Sequence, residues 1–83
     1  MNKYIIQKYI NKLTKQDIIN YSSNEKIQLS QKEIDIIYEY IKTRYLDFLS
    51  GKQDIILKEL KSKLNIKTYQ KIEELYQQYK NKI

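Results

Sequence analysis

Apolar residues recur along this chain at the three- and four-residue steps of an α-helix, in five separate stretches. Ile6, Tyr9, Ile10 and Leu13 fall at i, i+3, i+4 and i+7. They form one stripe of an amphipathic helix predicted over 2–13. Lys8, Lys12 and Lys15 gather on its far side. Thr14-Lys15-Gln16-Asp17 then reads as a second helix start. The Thr14 hydroxyl can accept a free backbone N–H, and Asp17 complements the positive end of the helix dipole. A strict capping box carries Glu or Gln at that last place, so this one is a variant. The short helix it opens holds Ile18, Ile19 and Tyr21. It is expected to fray at Ser22-Ser23-Asn24, whose side chains compete with helical hydrogen bonding.

Ile27-Gln28-Leu29 alternates apolar and polar but is too short for a sheet. It is read as an extended connector that tucks two side chains into the core. Ser30-Gln31-Lys32-Glu33 is a full capping box. It opens the longest helix, about 31–49, with Ile34, Ile37, Tyr38, Ile41, Tyr45 and Phe48 on its apolar side. Gly51 follows where a left-handed C-terminal cap is needed. Beyond it, Ile56, Leu57, Leu60 and Leu64 define a helix over about 53–64. Asp54 with Lys58, and Glu59 with Lys63, are i,i+4 pairs in the favourable order. Asn65-Ile66-Lys67 reads as a break, with Thr68 as the N-cap of the last helix. That helix presents Tyr69, Ile72, Tyr76 and Tyr79 on one stripe, with Leu75 beside it. The fold class expected is therefore all-α, a single-domain bundle of four to five short helices spanning 1–83. A chain of this length buries only about 60–65% of its unfolded surface, so the core is modest.

Composition changes this picture mainly by subtraction. The chain has no Ala, Val, Pro, Trp, His or Cys, while Ile, Lys, Tyr and Asn fill 45 of 83 positions. Those four residues have AT-rich codons, so a very AT-rich genome is expected. Without His or Cys the usual nucleophiles, proton shuttles and zinc ligands are missing. No disulfide is available, which fits a reducing compartment. Lys8, Lys12 and Lys15 interrupt the apolar positions near the N-terminus. Neither the apolar core of a signal peptide nor a membrane span is formed, and a cytoplasmic location is expected.

Paired carboxylates are the remaining route to acid–base chemistry. Asp35 and Glu39 lie one turn apart on the solvated side of the long helix, and Glu73 and Glu74 point in different directions. No loop has calcium-binding spacing, and one glycine cannot make a phosphate loop. The protein is therefore expected not to be an enzyme, to use no cofactor or metal, and to take no evident small-molecule substrate.

Charge supplies the rival reading. The net charge of +6 is concentrated at the ends, with +4 over 1–16, −2 over 17–54 and +4 over 55–83. Lys8, Lys12, Lys15, Lys58, Lys61, Lys63 and Lys67 are candidate phosphate contacts for a nucleic-acid partner. Tyr40 and Arg44 stand i,i+4 on a helix face turned from the Tyr38, Ile41 and Tyr45 side, where they can meet a partner. Arg44 is the only arginine, suited to a bidentate contact with carboxylate or phosphate. The other tyrosines are expected to replace Phe or Leu at core edges, with hydroxyls reaching water. The helix, extended connector and helix from Thr14 to Tyr45 look broadly like helix–extension–helix modules, some of which bind DNA. Membrane docking of the first helix is not expected. Its apolar face carries Ile6, Ile10 and Leu13 rather than Trp, Phe or several Leu, and a bundle buries it more simply. The leading expectation is a non-enzymatic protein-interaction or adaptor module, with an unknown protein partner or self-association.

Several stretches also resemble a known family. Ile10-Asn11-Lys12-Leu13-Thr14 with Asp17-Ile18-Ile19-Asn20-Tyr21, then Ile27-Gln28-Leu29-Ser30, and finally Ile72-Glu73-Glu74-Leu75-Tyr76 are similar to the YqfT-like family of short Bacillota proteins of unknown function. The likeness spans nearly the whole chain and rests on helix caps and apolar positions. It implies a small cytoplasmic helical protein of a low-GC Gram-positive bacterium or a mollicute relative, and it carries no active site with it. The absence of Ala departs from the usual family composition, as AT drift would explain.

Overall fold

The computed structural model describes residues 3–80. Among them are five α-helices and no strand. They are α1 (Lys3–Lys12), α2 (Lys15–Asn24), α3 (Gln31–Asp47), α4 (Gln53–Lys63) and α5 (Ile66–Lys80). Helix α3 is the spine. On one side it carries α1 and α2, and on the other α4, against which α5 packs. The described residues give α1 and α2 no helix packing with α4 or α5.

Both early helix starts are closed reciprocally. At α2, the Thr14 Oγ1 accepts the Asp17 N–H at 3.1 Å, and the Asp17 carboxylate accepts the Thr14 N–H at 2.9 Å. The shorter acid completes the box that Glu or Gln usually makes. At α3, Ser30 Oγ accepts the Glu33 N–H at 3.1 Å, and Glu33 accepts the Ser30 N–H at 3.2 Å. Leu13 and Ile18, like Leu29 and Ile34, occupy the flanking positions of a hydrophobic staple.

Two helix ends differ from expectation. Helix α2 does not fray at its serines. The buried Ser22 hydroxyl donates to the Ile19 carbonyl at 2.8 Å, and the helix runs through Asn24. It ends in a Schellman motif, with Ile27 N–H on the Ser22 carbonyl at 2.8 Å and Lys26 N–H on the Ser23 carbonyl at 3.1 Å. Lys26 takes the left-handed position, φ 59°. At α5, Thr68 is not the cap. Asn65 is, its Oδ1 accepting the Lys67 N–H at 2.9 Å. Thr68 lies inside the helix at 4% exposure. A threonine turned toward a buried acceptor serves the core better than a helix end, and Asn is at least as good a cap.

Helix α3 ends at Asp47 and passes through a wide turn, Phe48–Lys52, into α4. Gly51 sits there at φ 99°, as its place in the sequence predicts. The core gathers where α4 and α5 meet. Ile56, Leu57, Leu60, Leu64 and Tyr69 are buried, and Ile37, Tyr40, Phe48, Ile72 and Tyr76 pack around them. Phe48 meets Tyr76 edge to face at 5.4 Å. Burial is nowhere complete: the most enclosed described side chains, Ile56 and Thr68, still keep 4% exposure. The side chain of Tyr79, expected on the α5 stripe, lies outside the described residues.

Candidate interaction cleft

Because α1 and α2 lie on one side of α3, and α4 with α5 on the other, the apolar faces do not close on each other. Between them runs a half-open cavity of about 650 Å³. Of the predicted stripe, Ile6 and Ile10 of α1 and Leu13 just beyond it line the cavity. Tyr9 does not: it is 75% exposed, because α1 packs on α3 alone and only part of its stripe is covered. Ile27 and Leu29 of the connector line the cavity too, which gives the alternation at 27–29 its use. Ile41 and Tyr45 of α3, and Ile72 and Leu75 of α5, complete the wall. The lining includes one carboxylate, Asp17, and one guanidinium, Arg44. Tyr21 and Leu49, 43% and 39% exposed, are its most accessible large apolar side chains. A cavity of this volume with an apolar lining and few polar groups is of binding-site type.

The cleft's N-terminal wall is held by a lysine. Lys42 Nζ on α3 donates to the Ile10 and Asn11 carbonyls at 2.6 and 3.0 Å, capping the end of α1 with a cation. Nothing in the sequence marks this lysine among fifteen, since its partners lie more than thirty residues away. On the opposite side, the buried Glu33 carboxylate accepts the Asn65 N–H at 3.1 Å, tying the start of α3 to the start of α5. Burial pushes its pKa up, but donors from Ser30, Thr68 and Asn65 outweigh that and hold it below the ordinary value.

The residues singled out by charge fall into two groups. Tyr40 and Arg44 are brought together, but the face they share is not turned away from the core. Tyr40 packs against the α4–α5 core, and Arg44 stacks over its ring at 5.7 Å. Arg44 also binds the Asp47 carboxylate at 3.1 Å through Nε and the Glu59 carboxylate at 3.1 Å through Nη2. Hydrogen bonds to Glu59 and then Asp47 raise the guanidinium pKa. Lys63 approaches the same Tyr40 ring at 5.2 Å. Because α3 is covered on two sides, positions off its main stripe are half-buried as well, and Tyr40 and Arg44 line the cleft rather than an outer face.

Of the other lysines, Lys15 pairs with Asp35 at 2.8 Å. Hydrogen bonding to that carboxylate raises the Lys15 pKa and lowers that of Asp35. Lys8 lies over Tyr4 and Lys61 over Tyr69. Lys12, Lys58 and Lys67 are exposed. Lys8, Lys12 and Lys15 belong to α1 and α2, and Lys58, Lys61, Lys63 and Lys67 to α4 and α5, the two halves that α3 separates. No described helix is long and apolar enough to cross a membrane. The described residues hold no group of three or more acidic side chains placed for a metal ion.

Fold and cleft together define a small all-α domain with an apolar groove between its halves. The chain belongs to the family described as protein of unknown function (DUF2624), whose model matches residues 1–80. Neither the curated proteins nor the solved structures contain a match to it.

Proposed function

We propose that this is a non-enzymatic protein-interaction module of the cytoplasm that receives an apolar segment of a protein partner in its cleft. The observation that carries the reading is the cleft itself, an apolar groove lined from all five helices rather than from one exposed face. Helix-in-groove recognition works through such surfaces, because the partner's apolar stripe replaces water along the groove. The rival, nucleic-acid binding through the terminal lysines, has less support. Lys15, Lys61 and Lys63 already engage a carboxylate or an aromatic ring, and the two basic sets sit on separate halves. The absence of cysteine supports the cytoplasmic setting. We extend the family assignment, on the matching residues quoted above, to the YqfT-like proteins of low-GC Gram-positive bacteria, for which an AT-rich source genome is the check.

Affinity capture from the source cell tests the reading, with the native chain and Leu49→Arg as baits and nuclease added in parallel. A protein that survives nuclease and is lost with Leu49→Arg is the expected result. Capture that ignores Leu49→Arg, or that nuclease abolishes, contradicts it.

A further inference from the structure

We infer that the outer face of α1, away from the cleft, docks on an anionic lipid surface. Membrane docking is not expected of the Ile6, Ile10 and Leu13 stripe, and that stripe does line the cleft. The structure leaves a second apolar set outside. Ile5 and Tyr9 stand one turn apart on α1 at 48% and 75% exposure, and Tyr4 is 63% exposed. No helix but α3 packs on α1. Lys8 and Lys12 are exposed beside them. At 100° per residue, Tyr4, Lys8, Lys12, Ile5 and Tyr9 follow one another around an arc of about 140°. The arc lies on the side of α1 away from Ile6 and Ile10, so a lipid surface and a cleft partner can be held at once.

Charge complementarity selects the partner. Residues 1–16 hold four lysines and no acid, so the face attracts an anionic surface. A nucleic-acid strand matches only that charge. Ile5 gains nothing from a phosphate backbone. The Tyr4 ring already has Lys8 Nζ 4.9 Å from its centre, and Tyr9 lies at the other edge of the arc. The two rings therefore offer no shared platform for stacked bases. At a bilayer interface every group has a place. Ile5 and the tyrosine rings enter the boundary of the acyl chains, with the tyrosine hydroxyls among the headgroups. Lys8 and Lys12 reach the lipid phosphates on their flexible stems. So few anchors make a weak and reversible attachment.

The chain has no tryptophan, so Tyr9→Trp places a single reporter on this face. Its emission should shift to the blue with vesicles of equal parts phosphatidylglycerol and phosphatidylcholine, and stay unmoved with phosphatidylcholine alone. Leu46→Trp, at an exposed position of α3, is the control and should shift with neither. Co-sedimentation of the full chain with the anionic vesicles measures the strength. Lys12→Gln should weaken it about fivefold, the attraction of one lysine near the surface. Lys58→Gln removes the same charge from α4, on the other side of α3, and should change binding less than about twofold. Equal losses from the two would mean that net charge adsorbs the chain without a preferred face, and would overturn the inference. An unshifted Tyr9→Trp overturns it as well. Binding of oligo(dT) that perturbs Tyr9→Trp, with no binding to the vesicles, makes the partner a nucleic acid and overturns it too. These outcomes leave the cleft reading untouched, since the capture experiment tests that separately.

Discussion

The Glu33 carboxylate accepts the backbone N–H of Asn65 at 3.1 Å, across 32 positions of sequence. One oxygen closes the Ser30 cap and the other holds the α4–α5 junction. The same residue thus starts one helix and positions another, and with it the C-terminal wall of the cleft. Removing the charge in Glu33→Gln leaves buried donors underpaired and should cost about 1–3 kcal/mol. Urea denaturation of the two proteins measures it.

The same carboxylate gives a pH signature. Its folded pKa is lowered relative to the unfolded chain. Its contribution is therefore complete above the ordinary glutamate value of about 4.3 and drains away as pH falls through the folded value. The stability difference between the native chain and Glu33→Gln should be constant at neutral pH and shrink in acid. A difference that grows with acidity would mean the carboxylate is not held by these donors.

Two left-handed residues should respond in opposite directions. Gly51 sits at φ 99°, and a Cβ added there meets nothing within 4 Å. Gly51→Ala therefore costs only backbone strain, about 1–2 kcal/mol. Lys26 carries that strain in the native chain at φ 59°. Lys26→Gly should stabilise by about 0.5–1 kcal/mol, the relief being offset in part by a more flexible unfolded chain. Thermal melts of both variants read the signs directly.

Lys42 holds the other wall. Lys42→Met keeps an unbranched apolar side chain but removes the cation from the Ile10 and Asn11 carbonyls and from the Tyr38 ring. A loss of about 1 kcal/mol is expected, concentrated in α1. Amide hydrogen exchange should show α1 opening more often while α4 and α5 keep their protection.

What the sequence made legible was local. Both capping boxes, the Gly51 turn, five helical stretches and the α1 stripe, apart from the exposed Tyr9, follow from spacings of three and four residues. The connector at 27–29 was also readable, because alternating apolar positions have nowhere to go but inward. Most of the misreadings come from long-range packing. Thr68 looks like a cap until α3 supplies Glu33 as its buried acceptor. Tyr40 and Arg44 look outward until α4 brings Glu59 and Lys63 beside them. The Schellman end at Lys26 hides because lysine is an unusual left-handed residue. The cleft itself has no local signal, since it is the space left where α1 and α2 fail to reach α5.

The most direct test of the cleft as a protein-docking surface is photo-crosslinking in the source cell, with a photoreactive residue placed at position 49 or, separately, at position 61. Position 49 opens on the cleft, and position 61 lies on the basic outer side of α4. A nuclease-resistant protein adduct from position 49, and none from 61, is the predicted result. A nuclease-sensitive adduct from 61 with none from 49 would contradict it.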